Sequence, residues 1–152
     1  MASGTRIAPS IAPPLLTGRR CNALLDIVGR TPGLGCQGKL GCFLDRYLVA
    51  EALAIRLQSY YQADAGLAST DKVLVNQLLA AQRNFAFIFD DLRTKEIFLG
   101  GTGTCGSKTC RQLRNGYVHS LSNADRREIE ARSTPLLAAL TDYIDAYTRH
   151  CS

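Results

Sequence analysis

At 152 residues, with 46% hydrophobic and 20% charged residues, the chain fits one globular domain that can bury roughly 70% of its unfolded surface. That balance excludes wholesale disorder, and no apolar run approaches the ~18 residues of a membrane span, so no membrane association is predicted. The formal net charge of +5 favours an anionic partner; most of it lies in residues 1–41, where Arg6, Arg19, Arg20, Arg30 and Lys39 face Asp26 alone.

Residues 1–18 read as a flexible basic arm. Pro9, Pro13 and Pro14 would interrupt either a secretory apolar core or an amphipathic targeting helix. The rest, 19–152, reads as a single α-helical domain. Its six cysteines lack the spacing of a zinc knuckle: four residues separate Cys105 from Cys110, five separate Cys36 from Cys42, and only His119 and His150 could add nitrogen ligands. The sequence therefore predicts reduced, mostly buried thiols, a cytoplasmic location, and neither metal nor cofactor.

A short helix is predicted from Arg20 to Val28, broken by Gly29, Pro32, Gly33 and Gly35, with loop through Gly41. A second runs from about Phe43 to Ala63, with Leu44, Tyr47, Leu48, Ala52, Ile55 and Ser59 on its apolar face. Capped by Ser69 or Thr70, a third carries Leu74, Leu78, Ala81, Phe85, Ile88, Phe89 and Leu92 at three- and four-residue steps. The loop Gly100-Gly101-Thr102-Gly103-Thr104-Cys105-Gly106 lacks the Gly-Lys-Ser/Thr ending of a phosphate loop and reads as a connector.

Ser107 is the expected cap of the next helix, which runs to about Leu121. Ser122 or Asn123 caps the last, whose apolar face holds Ile129, Leu136, Leu137, Leu140, Ile144 and Tyr147; at Pro135 it either kinks or restarts from a Thr134 cap. No strand pattern competes. The prediction is an all-α fold, an up-and-down four-helix bundle with a loop-rich N-terminal extension.

On an ideal helix Cys110, Leu113, Tyr117 and Leu121 form a buried stripe, with Arg114 at its margin. Asn115 and His119 stack one turn apart on the outward side, joined by Lys108 and Arg111, and no acid occurs between Glu96 and Asp125. An imidazole exchanges protons near neutral pH, and a guanidinium grips phosphate through two oxygens. Such groups suit attack of an RNA 2′-hydroxyl on its adjacent phosphate without a metal. Lys108 and Arg111 are then RNA-binding residues. One His and one Arg supply only half of an acid–base apparatus, so two copies meeting across this helix would complete it.

The run Arg114-Asn115-Gly116-Tyr117-Val118-His119 resembles the signature of the HEPN superfamily: an Arg, four to six residues, then a His, with a polar residue directly after the Arg. Its place on a late helix before a long final one also fits. The resemblance implies a metal-independent endoribonuclease, commonly dimeric, acting in toxin–antitoxin or defence systems with an antitoxin or defence partner. It assigns Arg114 and His119 as the catalytic pair and Asn115 as the supporting polar residue. Where relatives controlled by nucleotide transfer carry a tyrosine two residues past the histidine, this chain has Leu121, which argues against that control. Two other readings stay open. One is a non-catalytic module binding RNA or a nucleotide; the other is an all-α interaction protein in which Arg114 makes an ion pair and His119 is merely solvated.

Overall fold

A computed structural model describes residues 15–30, 38–65, 97–98 and 108–151. Among them the elements are all α-helical: α1 (Gly18–Val28), α2 (Gly38–Ala65), α3 (Cys110–Ser120), α4 (Asn123–Ala131) and α5 (Ser133–Cys151). The helix expected over 74–93, the glycine-rich connector and residues 1–14 of the arm lie outside the described residues. No helix among the described residues is long and apolar enough to cross a membrane.

Each helix start has a local chemical cause. The Thr17 hydroxyl accepts from Arg20 N–H, so α1 begins at Gly18, before the expected Arg20. The second helix opens at Gly38, within the predicted loop; its φ of +81° is open to glycine without strain. Thr109 caps α3, rather than Ser107. Its side chain accepts from Gln112 N–H while the Gln112 side chain returns to Thr109 N–H, a reciprocal box that satisfies two orphan donors. Ser122 caps α4, as expected.

The break before α5 falls at Arg132 and not at Thr134: Leu136 N–H donates to Arg132 C=O at 3.0 Å. Pro135 thereby occupies the first turn, where its missing N–H had no intrahelical partner to lose. Arg132 also donates from one guanidinium nitrogen to Lys108 C=O and Glu128, tying the junction to the start of α3.

The core forms where α2 packs against α1 and α5, with α3 and α4 closing one side. Tyr47, Phe98, Tyr143 and Tyr147 stack through it with neighbouring centroids 5.2–6.3 Å apart, a spacing that favours tilted and edge contacts. The Tyr143 and Tyr147 hydroxyls share a 2.7 Å hydrogen bond, so their burial leaves these polar atoms paired.

The predicted apolar face divides between two helices, with Ile129 buried on α4 and Leu136, Leu140, Ile144 and Tyr147 buried on α5 while Leu137 is half-buried, whereas α2 is turned relative to expectation. Phe43, Tyr47, Ala50, Leu53, Ala54 and Leu57 face inward, and Leu48 and Ile55 are exposed. At one end of α1 and α5, Cys21 and Cys151 are reduced neighbours. Burial, reinforced by the Cys21 thiol, pushes the Cys151 thiol up to about 12. It stays protonated at neutral pH and is a poor nucleophile there.

Candidate functional site

Helix α3 carries every sequence-predicted site residue except Lys108, which directly precedes its cap. Leu113 faces the core, so the helix presents its other sides to α2, to α4 and to solvent. Arg114 and His119 are five positions apart, roughly 140° round an ideal helix, and the two side chains have different surroundings.

Arg114 turns toward α2. Its Nη2 lies 2.5 Å from Glu51 Oε2, and its guanidinium sits over the Tyr47 ring at 5.1 Å from the centroid. The Tyr47 hydroxyl donates to the same Glu51 oxygen at 2.8 Å. This triad is mostly enclosed, with side-chain exposures of 18% for Arg114 and 29% for Glu51. Burial is the largest single influence and works against the Arg114 charge, but the hydrogen bond and charge of Glu51, with Tyr47 adding to them, together outweigh it and raise the guanidinium pKa. Burial also raises the Tyr47 pKa, reinforced by Glu51, keeping the phenol a donor. The Arg114 Nε–H is buried without an acceptor, a cost in the range of about 1–3 kcal/mol.

His119 stands in the last turn of α3, exposed, with no hydrogen bond or ion pair to any described residue. Asn115 is half-buried and also makes no side-chain hydrogen bond among the described residues. Neither is bonded to Arg114. Val118 and Leu121, on either side of the imidazole in sequence, are 48% and 70% exposed. Leu121 therefore leaves the predicted buried stripe. It terminates the helix in the left-handed region (φ 49°), where its N–H donates to Tyr117 C=O and Ser122 N–H to Gly116 C=O.

Lys108 is committed elsewhere. Its ammonium lies 2.6 Å from Asp125 Oδ1, and Asp125 is buried. That ion pair raises the Lys108 pKa. The same carboxylate explains the glycine within the motif: a Cβ on Gly116 would fall 1.7 Å from Asp125 Oδ2. The α3 backbone thus meets α4 where a side chain would stand.

Arg111 is exposed and makes no hydrogen bond or ion pair among the described residues. It lines a recess of about 150 Å³ between α2 and α3, together with Tyr47, Glu51, Ile55, Gln58 and Phe98. Sequence reading missed Glu51 because it lies 63 positions before Arg114, on a helix read for its apolar face. The sequence gap in acids between Glu96 and Asp125 is filled in space by Glu51 and Asp125, which leave Arg111 as the unpaired cation among the three predicted basic contacts.

No family model matches the chain, and no curated protein or solved structure matches it either.

Proposed function

We propose that the chain binds RNA and cleaves it without a metal, as an endoribonuclease of the HEPN type acting in the cytoplasm. The observation that carries this reading is the His119 imidazole, exposed and without a partner among the described residues, on the same helix as Arg111 and Arg114. In the proposed step the ribose 2′-oxygen loses its proton and attacks the adjacent phosphorus. The bond to the 5′-oxygen breaks, that oxygen takes up a proton, and a 2′,3′-cyclic phosphate remains. His119 moves one of these protons. Arg111 meets the phosphate directly, while Arg114 joins only if a phosphate oxygen displaces Glu51 from part of its guanidinium.

The second proton transfer falls to His119 of a second copy, which makes the enzyme a homodimer across α3. Exposed Val118 and Leu121 beside the imidazole support that arrangement. Sedimentation of the wild type should show a dimer, and Val118→Glu should shift it to monomer; a wild type that sediments only as monomer opposes the two-copy site. An up-and-down four-helix bundle belongs to the same reading, supported by the packing of α2 against α1, α3 and α5.

A second reading, a module that binds RNA or a nucleotide without cutting it, is favoured by the Arg114–Glu51 pair, which occupies the guanidinium a cleaving site would need. One assay separates the two. Single-stranded RNA incubated with purified protein in excess EDTA should yield cyclic-phosphate ends with the wild type and none with His119→Ala. RNA that is bound but left intact by the wild type assigns the binding module, and cutting that persists in His119→Ala rejects the proposed chemistry.

A further inference from the structure

Both donors of the α2–α3 triad converge on one carboxylate oxygen. Glu51 Oε2 accepts from Tyr47 and Arg114. Among the described residues nothing donates to Oε1. The carboxylate is therefore held in place at one oxygen and open at the other, and it lines the recess already described. Across that recess Arg111 has no partner among the described residues, and the remaining wall is mostly aromatic and aliphatic, from Tyr47, Phe98, Ala54 and Ile55, with the Gln58 amide as its other polar group.

Such a combination selects a ligand class. The volume of about 150 Å³ is well below the ~300–1,000 Å³ of sites for drug-sized ligands and suits one flat ring system. Apolar and aromatic walls with a neighbouring guanidinium accept a splayed-out base by stacking. A fixed, charged acceptor then discriminates among bases. Guanine presents two adjacent donors, N1–H and the N2 amine, on its pairing edge. Adenine and cytosine each set a ring-nitrogen acceptor beside their amine, and uracil flanks its N–H with two carbonyls. In those three, a lone pair would face the Glu51 charge.

We infer that the recess between α2 and α3 binds a guanine nucleotide, with Glu51 accepting from the base's donor edge and Arg111 meeting its phosphate. This rests on the reading of the chain as an RNA-binding protein and names the base that it prefers. The recess lies beside the Arg114 side of α3, so it binds the base while the chemistry is left to His119.

The test titrates GMP, IMP, AMP and inorganic phosphate separately onto the full chain, followed by calorimetry and by amide shifts in α2 and α3. GMP should bind about 10-fold more tightly than AMP, as expected for one well-made polar pairing. IMP, lacking the N2 amine, should fall between them. Arg111→Ala and Ile55→Glu alter exposed side chains and should leave the fold intact while weakening GMP binding several-fold. Glu51→Gln should erase the preference for GMP over AMP; if that variant fails to fold, the two surface variants and the IMP comparison decide. Equal binding of GMP and AMP, inorganic phosphate binding as tightly as GMP, or no effect of the two surface variants would overturn the inference. A pentanucleotide with a central guanine, compared with its all-adenine counterpart, separates RNA from free nucleotide as the natural source. RNA cutting without GMP binding defeats the guanine site and spares the ribonuclease reading; GMP binding without cutting does the reverse.

Discussion

His119 and Arg114 differ in how cleanly a substitution at each reports on chemistry. The imidazole is exposed and makes no bond among the described residues, so His119→Ala should change stability by less than about 0.5 kcal/mol. Arg114 is mostly enclosed and bonded to Glu51, with Tyr47 beneath it. Truncating it strands the Glu51 charge and removes the stacked guanidinium, and Arg114→Ala should cost about 2 kcal/mol. Chemical denaturation of the two variants checks this, and equal midpoints would mean that the triad contributes nothing to the fold. Lost activity in Arg114→Ala then carries weight only beside its stability, whereas lost activity in His119→Ala can be read directly. The outward placement of His119 was legible from helical spacing alone. That Arg114 could sit in an ion pair was one of the open readings, but its partner and that of Lys108 were not legible, because Glu51 is remote in sequence and the gap in acids before Asp125 describes a line of residues, not a volume.

Among the elements, α5 was readable and α2 was misphased, for a physical reason. Along α5 the apolar residues keep to one stripe, so a single phase satisfies them. Helix α2 has apolar residues on nearly every side: Leu44, Leu48 and Ile55 lie on the predicted face, and Phe43, Ala50 and Leu57 on the one actually buried. Periodicity could not choose between them, and packing against α1 and α5 did. The cap of α3 was legible in principle, since Thr109-x-x-Gln112 is the pattern of a reciprocal box. The close meeting of α3 and α4 gives a prediction at this scale. Gly116→Ala should destabilise by about 1–3 kcal/mol because Asp125 must swing away and leave Lys108. In an Asp125→Ala background the same change should instead stabilise, by up to about 1 kcal/mol, since alanine favours a helix over glycine. A double-mutant cycle measured by urea melts tests the reversal, and additive effects would contradict the contact.

For the whole molecule, the tie between the start of the described chain and the far end of α2 is electrostatic. Arg20 grips Asp64 through two 2.8 Å bonds and lies over Tyr60, and Leu15 N–H donates to the same carboxylate. The Arg20 guanidinium, helped by that N–H, holds the Asp64 carboxyl below its ordinary value of 3.8. A carboxyl lowered by folding adds stability that is complete above its unfolded pKa and is lost as the pH falls through the folded one. Thermal melts should therefore show wild type above Asp64→Asn near pH 6, with the gap closing below pH 3.8; a gap independent of pH would exclude this tie as the cause. The same anchor fixes a distance. Glu51 and Asp64 are thirteen positions apart on one helix, about 20 Å along its axis. Leu15 and the start of α1, held at Asp64, thus lie about two nanometres from the triad. A dinucleotide seated beside Glu51 is too short to bridge that interval, so any added grip from exposed Arg19 at the start of α1 would emerge only with longer strands, as a salt sensitivity that grows with oligomer length.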